Sequence, residues 1–214
     1  MALSPQHEVE IIGPAKSGDI WYPMKNMGIS IRPYPWKRYP FFISTIRKMI
    51  KEIDADILIA CKLRPTSFGI ALIKKWASGV PVILDIDDWE LGFLYHSGFL
   101  SKIGRFLNFS NPNGLPYTWL MERLTGLADS IVVSNRFLQN KFSGPLVYHC
   151  RDTSILDPDK FDSDIIKTKL GLKGKRVVMF LGTPRAHKGM EELFMAIEKI
   201  KDPSIRLVLI GADS

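Results

Sequence analysis

Cysteine is nearly missing from this chain of 214 residues: Cys61 and Cys150 are the only two. That excludes a disulfide framework and a cysteine-built zinc cluster. Each closes an apolar run, so both are expected as small buried hydrophobes. Histidine is almost as sparse. His7, His96, His149 and His187 have no ligand spacing, so neither a zinc motif nor a metal cofactor is expected. No apolar run approaches the ~20 residues that span a bilayer. The opening MALSPQHEVE lacks a charged stretch leading into a greasy one, so no signal peptide is read there and the expected location is the cytoplasm. Internal repeats and low-complexity tracts are absent, which argues against a repeat architecture. The 46% hydrophobic content is enough for a sizeable core.

Acidic residues are scarce in one place. Between Lys16 and Lys51 there are eight Lys or Arg and a single Asp, so this stretch carries the whole net charge of +7. Trp21, Tyr22, Tyr34, Trp36, Tyr39, Phe41 and Phe42 are interleaved with the cations. Three readings stay open: a surface resting on anionic lipid headgroups, with Trp36, Lys37 and Arg38 at its centre; a nucleic-acid surface; or core aromatics beside solvated cations. Nothing here resembles a base-stacking or helix-turn-helix module, so nucleic acid is not expected as a partner.

What is present is an alternation of buried strands and amphipathic helices. Glu8–Ile12 reads as a strand ended by Gly13-Pro14, and Gly28–Arg32 as a weaker strand before the turn-prone PYPWKRYP. Phe42–Ile53 is a helix with Ile43, Ile46, Ile50 and Ile53 along one face. Ala55–Ala60, Ser67–Ser78 and Val80–Ile86 follow as strand, helix and strand, predicting a doubly wound parallel sheet. Trp89–Gly114 reads as a helix ending at the NPNGLP breaker. Beyond it come a helix over Pro116–Ala128, a strand over Ser130–Val133, a last strand over Leu146–Cys150 and a short helix over Asp162–Leu170.

Val177–Ile200 concentrates chemistry at a bend. Val177–Leu181 is an apolar run suited to a strand buried on both faces, and Gly182 and Pro184 stop it. After Gly189 the apolar residues Met190, Leu193, Phe194, Ile197 and Ile200 fall on one helical face, and a strand over Arg206–Ile210 follows. Ligands of such βαβ units sit beyond the carboxyl ends of the strands. A helix start there attracts an anion, and Arg185 and Lys188 add two full charges, which suits a phosphate or diphosphate. Solvated loop cations are the other reading. The glycine spacing is neither the dinucleotide fingerprint nor a P-loop.

LDIDDWE sets Asp85, Asp87 and Asp88 at the carboxyl end of another strand. Asp85 and Asp87 are expected to point the same way, with Asp88 opening the turn. On the residues alone they either meet a ligand on that side of the sheet or form a solvated cap or turn.

The strand, the Gly182 turn, Lys188-Gly189 and the helix that follows resemble the opening of the nucleotide-sugar domain of glycosyltransferase family 4, the group 1 glycosyltransferases of GT-B fold. ADILIACKLRPTSFGIALIKKWASGVPVIL and ADSIVVSNRFLQNKF are similar to stretches of that family's first domain. The resemblance implies an acceptor-side Rossmann-like domain over 1–170, a linker near 151–172 and the start of a donor domain over 173–214, with the first strand and the end of the second domain missing. It further implies retaining, metal-independent transfer from a nucleotide diphosphate sugar to a glycan or lipid-linked acceptor at the inner face of a membrane. Gly182, Arg185, Lys188 and Gly189 would hold the donor diphosphate, and Asp87 would take the place of a His that faces the transferred sugar. Thr183 stands where the family has an Arg, and Arg185 is its nearest substitute. Two rivals remain: a haloacid-dehalogenase-like phosphatase using Asp85 and Asp87, and a noncatalytic α/β binding module.

Overall fold

The structure is a computed structural model and describes residues 6–16, 20, 24–25, 28–95, 104, 106–150, 153, 157–184 and 188–211. It is a mixed α/β protein in which every paired strand is parallel. The chain divides into two compact units, Met1–Cys150 and Arg151–Ser214.

In the first unit, β1 (Glu10–Ala15) pairs with β2 (Ser30–Pro35), and β4 (Val82–Ile86) lies between β3 (Leu58–Cys61) and β5 (Ser130–Val133). β1 runs through Gly13-Pro14 and β2 through Pro33 and Pro35, where a stop and a turn were expected. The hydrogen-bond parity explains it. Trp36 N–H donates to the Ala15 carbonyl at 3.1 Å, so residues 34 and 36 face β1, and the nitrogens of Pro33 and Pro35 face away from the ladder. The same parity turns the Pro14 nitrogen outward. Proline therefore costs this sheet no ladder bond.

Helix α1 (Phe42–Glu52) buries Phe42, Thr45 and Met49, while Ile43 faces outward. The expected isoleucine row is largely inward: Ile53 joins Phe42, Tyr34, Met49 and Ile70 in one core cluster and Ile46 and Ile50 pack against it, so only Ile43 lies off the stripe. A wide turn over Pro65–Gly69 leads into α2 (Ile70–Ser78), which ends at left-handed Gly79. Phe68 and Leu72 join Val82, Leu84, Ile86, Val133 and Leu138 in the larger core.

After β4, α3 covers Glu90–Tyr95, shorter than expected; residues 96–103 and 105 lie outside the described ones. α4 (Leu115–Arg123) precedes β5, and α5 (Arg136–Phe142) follows with Asn135 accepting the Leu138 N–H at 2.9 Å. Of the expected last strand only Leu146 pairs, bridging to Val133. Asp129 ties the start of β4 to α2: it accepts the Val82 N–H at 2.7 Å and meets Lys75 at 2.8 Å. Those bonds hold its carboxyl below the usual range.

The second unit contains α6 (Ser163–Lys169), β6 (Arg176–Leu181), α7 (Met190–Ile200) and β7 (Ile205–Ile210), with β6 and β7 in parallel register. β6 is exposed rather than buried on both faces: Met179 is 58% and Leu181 73% accessible. A two-stranded sheet with one intervening helix has too few side chains to cover both of its faces. Among the described residues, no helix is long and apolar enough to cross a membrane. Cys61 and Cys150 are free and exposed, contrary to the buried role expected of them; for Cys61 the cause is that the face of β3 carrying it and Ile59 is open.

Candidate functional site

The sequence-predicted residues fall at three places: the carboxyl end of β4, a pocket beside Trp36, and the turn after β6.

At the first, Lys62 organises the acidic strand end. It follows β3 with φ of +75°, a left-handed conformation that costs a non-glycine residue on the order of 1 kcal/mol. Its N–H continues the ladder to the Asp85 carbonyl at 2.9 Å. Its ammonium lies 3.1 Å from Asp87 Oδ2, 3.1 Å from Asp88 Oδ2 and 3.5 Å from Glu90 Oε1. Burial opposes the Lys62 charge, but the hydrogen bonds to Asp88 and Asp87 outweigh it and hold its pKa above the ordinary lysine value. Glu90 is almost fully buried and pairs with Arg64 as well. The Asp87 carbonyl accepts from Ser134 Oγ at 2.8 Å, whereas its buried Oδ1 has no hydrogen-bond partner among the described residues.

Among the described residues Asp85 is the member without a direct cation. Burial, followed by the charge of Asp87, pushes its carboxyl above the usual range, against the pull of His149 and Lys62. A folded-state pKa raised in this way favours folding below the unfolded value, ~3.8, and the advantage fades as pH rises through the folded value. Asp85→Asn is therefore expected to raise the thermal midpoint at pH 7 by a degree or two, about the size of one mildly unfavourable charge. Melting curves at pH 7 and pH 3 check this; the gain is absent at pH 3, where both forms are neutral.

The second place is a pocket of about 380 Å³ lined by Lys16, Trp36, Arg38, Arg64, Glu90, Phe93, Asn111, Asn113 and Thr118. Its wall comes from the segments after β1, β2, β3 and β4 and from the start of α4. Trp36 is half-buried with the Lys16 ammonium 5.9 Å from its ring centroid, and Arg38 lies two residues further on. Lys37 is exposed and does not line the pocket. Glu90 belongs to both the pocket and the Lys62 cluster, so Asp87 and the pocket are linked through one buried carboxylate. Trp89, the chain neighbour of Glu90, is fixed on its other side: its Nε1–H donates to Glu122 Oε2 at 3.0 Å, and Lys141 pairs with Glu122 at 2.8 Å while lying 4.7 Å from the Trp89 ring centroid.

The third place is the turn after β6. Gly182 has φ of +140°, and its N–H donates to the Ile210 carbonyl at 2.8 Å. A β-carbon on Gly182 would lie 3.2 Å from Lys188 Nζ, so the ammonium sits directly over the end of the strand. Gly189, left-handed at φ of +69°, starts α7 without a side-chain cap. Among the described residues no side chain caps the first N–H groups of the helix. Glu191 and Glu192 already bring negative charge to the first turn, which offsets part of the field that an anion would feel. Arg185 lies outside the described residues.

Sequence reasoning singled out the acids of β4 but missed Lys62, Arg64 and Glu90. The signal was present: CKLR closes β3, and the two strands are register neighbours through Cys61 and Asp85. Adjacent parallel strands present their carboxyl-end residues side by side. Compared with known proteins, the chain matches no family model and no curated protein.

Proposed function

We propose that this chain is part of a glycosyltransferase of GT-B type that moves a sugar from a nucleotide diphosphate sugar to a glycan or lipid-linked acceptor. In this reading the first unit is the Rossmann-like acceptor side and the second begins the donor side. The observation that carries it is the Lys188 ammonium poised over Gly182, at the carboxyl end of a parallel strand and beside the uncapped start of α7. A diphosphate leaving group gains negative charge as the sugar departs, and a fixed cation with open N–H groups stabilises that charge where it develops. Gly182 and Gly189 leave the backbone room for it, and Arg185 is the proposed second cation. Asp87, at the carboxyl end of β4, supplies an acceptor for a sugar hydroxyl. Lys37 and Phe41, both exposed, suit contact with an anionic membrane surface.

The test separates the diphosphate from the rest of the donor. Lys188→Ala is expected to weaken binding of UDP, GDP or ADP, whichever the chain takes, by roughly tenfold, the worth of one charge-assisted contact. Affinity for the matching nucleoside should not change. Titration calorimetry reads both, and equal losses for nucleoside and nucleotide would remove the diphosphate role.

A further inference from the structure

The pocket beside Trp36 has more hydrogen-bond donors than acceptors. Asn111 Oδ1 accepts the Asn113 N–H at 3.0 Å, and Asn113 Oδ1 accepts from Thr66 Oγ1 at 2.9 Å, so both amides have their NH₂ groups left to give. Lys16, Arg38 and Arg64 add cationic donors. The one acid among the described lining residues, Glu90, is held by Arg64 and stands 3.5 Å from Lys62. Lys16 and Arg38 have no carboxylate partner among the described residues, so among those residues two positive charges over one cavity are left for a ligand. A complementary ligand must therefore be rich in acceptor oxygens and negatively charged.

Shape narrows the class. A volume of about 380 Å³ lies near the lower end of small-molecule sites, on the order of 300–1,000 Å³, and suits one or two sugar rings better than a peptide or nucleic-acid strand. The ring of Trp36 gives a flat apolar wall for the C–H face of a pyranose, while the asparagine amides reach hydroxyl oxygens. Bare inorganic phosphate would use the cations but leave Trp36 and the amides without a partner.

We propose that this pocket binds an anionic saccharide unit, a sugar carrying a carboxylate or a phosphate, with Lys16 and Arg38 on the charge and Trp36 against the ring. That the bound unit is the acceptor rests on the sugar-transfer reading; the binding itself does not.

Titration calorimetry of the full chain with glucuronate, glucose 6-phosphate, glucose and inorganic phosphate decides the matter at fixed ionic strength. At least one charged sugar is expected to bind about tenfold or more tightly than both glucose and inorganic phosphate. Which of the two does so separates a carboxylate source from a phosphate source. Arg38→Gln and Lys16→Gln should each weaken it by about tenfold, Trp36→Ala should weaken it without erasing the preference for charge, and Lys199→Gln, a surface cation in the other unit, should leave it unchanged. Circular dichroism melts confirm that the variants are folded. Equal binding of glucose and its charged counterparts, phosphate binding as tightly as the sugar phosphate, indifference to Arg38→Gln, or no binding at all would each overturn the proposal. Nucleoside diphosphate affinity and its dependence on Lys188 are read separately, so the failure of either proposal is seen without the other.

Discussion

Lys62→Met is expected to lower the stability of the first unit by about 2 kcal/mol at pH 7, or roughly 6 °C in thermal midpoint. Methionine keeps the length of the stem and the same left-handed backbone cost, so the comparison isolates the charge. Without the ammonium, Asp87, Asp88 and Glu90 face one another around a vacated centre, and only Arg64 on Glu90 remains to offset them. Removing one partner of a buried ion pair costs about 3–5 kcal/mol; partial exposure of Lys62 at 39% justifies the smaller figure. The pH dependence carries the signature. The lysine pKa is raised, so the wild-type contribution is intact below ~10.5 and is lost only as pH rises through the higher folded value. Denaturant titrations at pH 7 and at about pH 11 measure this: the deficit of the variant should shrink at the higher pH, and a deficit unchanged there would mean that Lys62 acts through packing instead.

Phe42→Ala is expected to cost more, about 3–4 kcal/mol, the usual loss for a fully buried phenylalanine. Its second effect is on the pocket. The Phe42 ring meets Tyr39 edge-on at 5.9 Å, Tyr39 meets Tyr117 at 5.1 Å, and the Tyr39 N–H donates to the Ser110 carbonyl at 2.8 Å. These contacts fix the short segment that presents Trp36 and Arg38. A cavity at Phe42 should therefore loosen that segment and weaken saccharide binding several-fold, as each misplaced donor loses part of its hydrogen bond. Leu138→Ala is the matched control. It empties the other core and should lower stability comparably without changing affinity. If both variants bind equally well, the aromatic chain does not position the pocket.

Most of the secondary structure could be read in the sequence because apolar runs of strand length alternate with stripes of helical period. The α1 stripe, the β4 run and the β6–α7–β7 unit are all of this kind. The misses have local causes. Gly13-Pro14 and Pro33-Tyr34-Pro35 look like breaks, but proline is harmless on a strand whose alternate nitrogens point away from the partner. Exposure on β6 was illegible because an apolar run states a capacity for burial, and only the number of neighbouring layers decides whether it is met. At the candidate site, the anionic half was visible as three aspartates in four residues, whereas its cationic counterpart lies more than twenty residues earlier in the chain. Only the parallel register of β3 on β4 brings the halves together. Trp36 and Arg38 were visible as part of a basic aromatic stretch, yet their concave setting depends on the Asn111–Asn113 turn and Thr118, which no short-range pattern connects to them.

The outward prolines of β1 and β2 also bear on how the molecule behaves in crowded solution. A strand arriving from another copy finds missing donors along both borders of that sheet, which makes it a poor template for runaway polymerisation. β6 and β7 contain no proline and keep apolar side chains open, so fibril-like growth of this chain would be seeded there, and gatekeeping substitutions for solubility belong on those two strands.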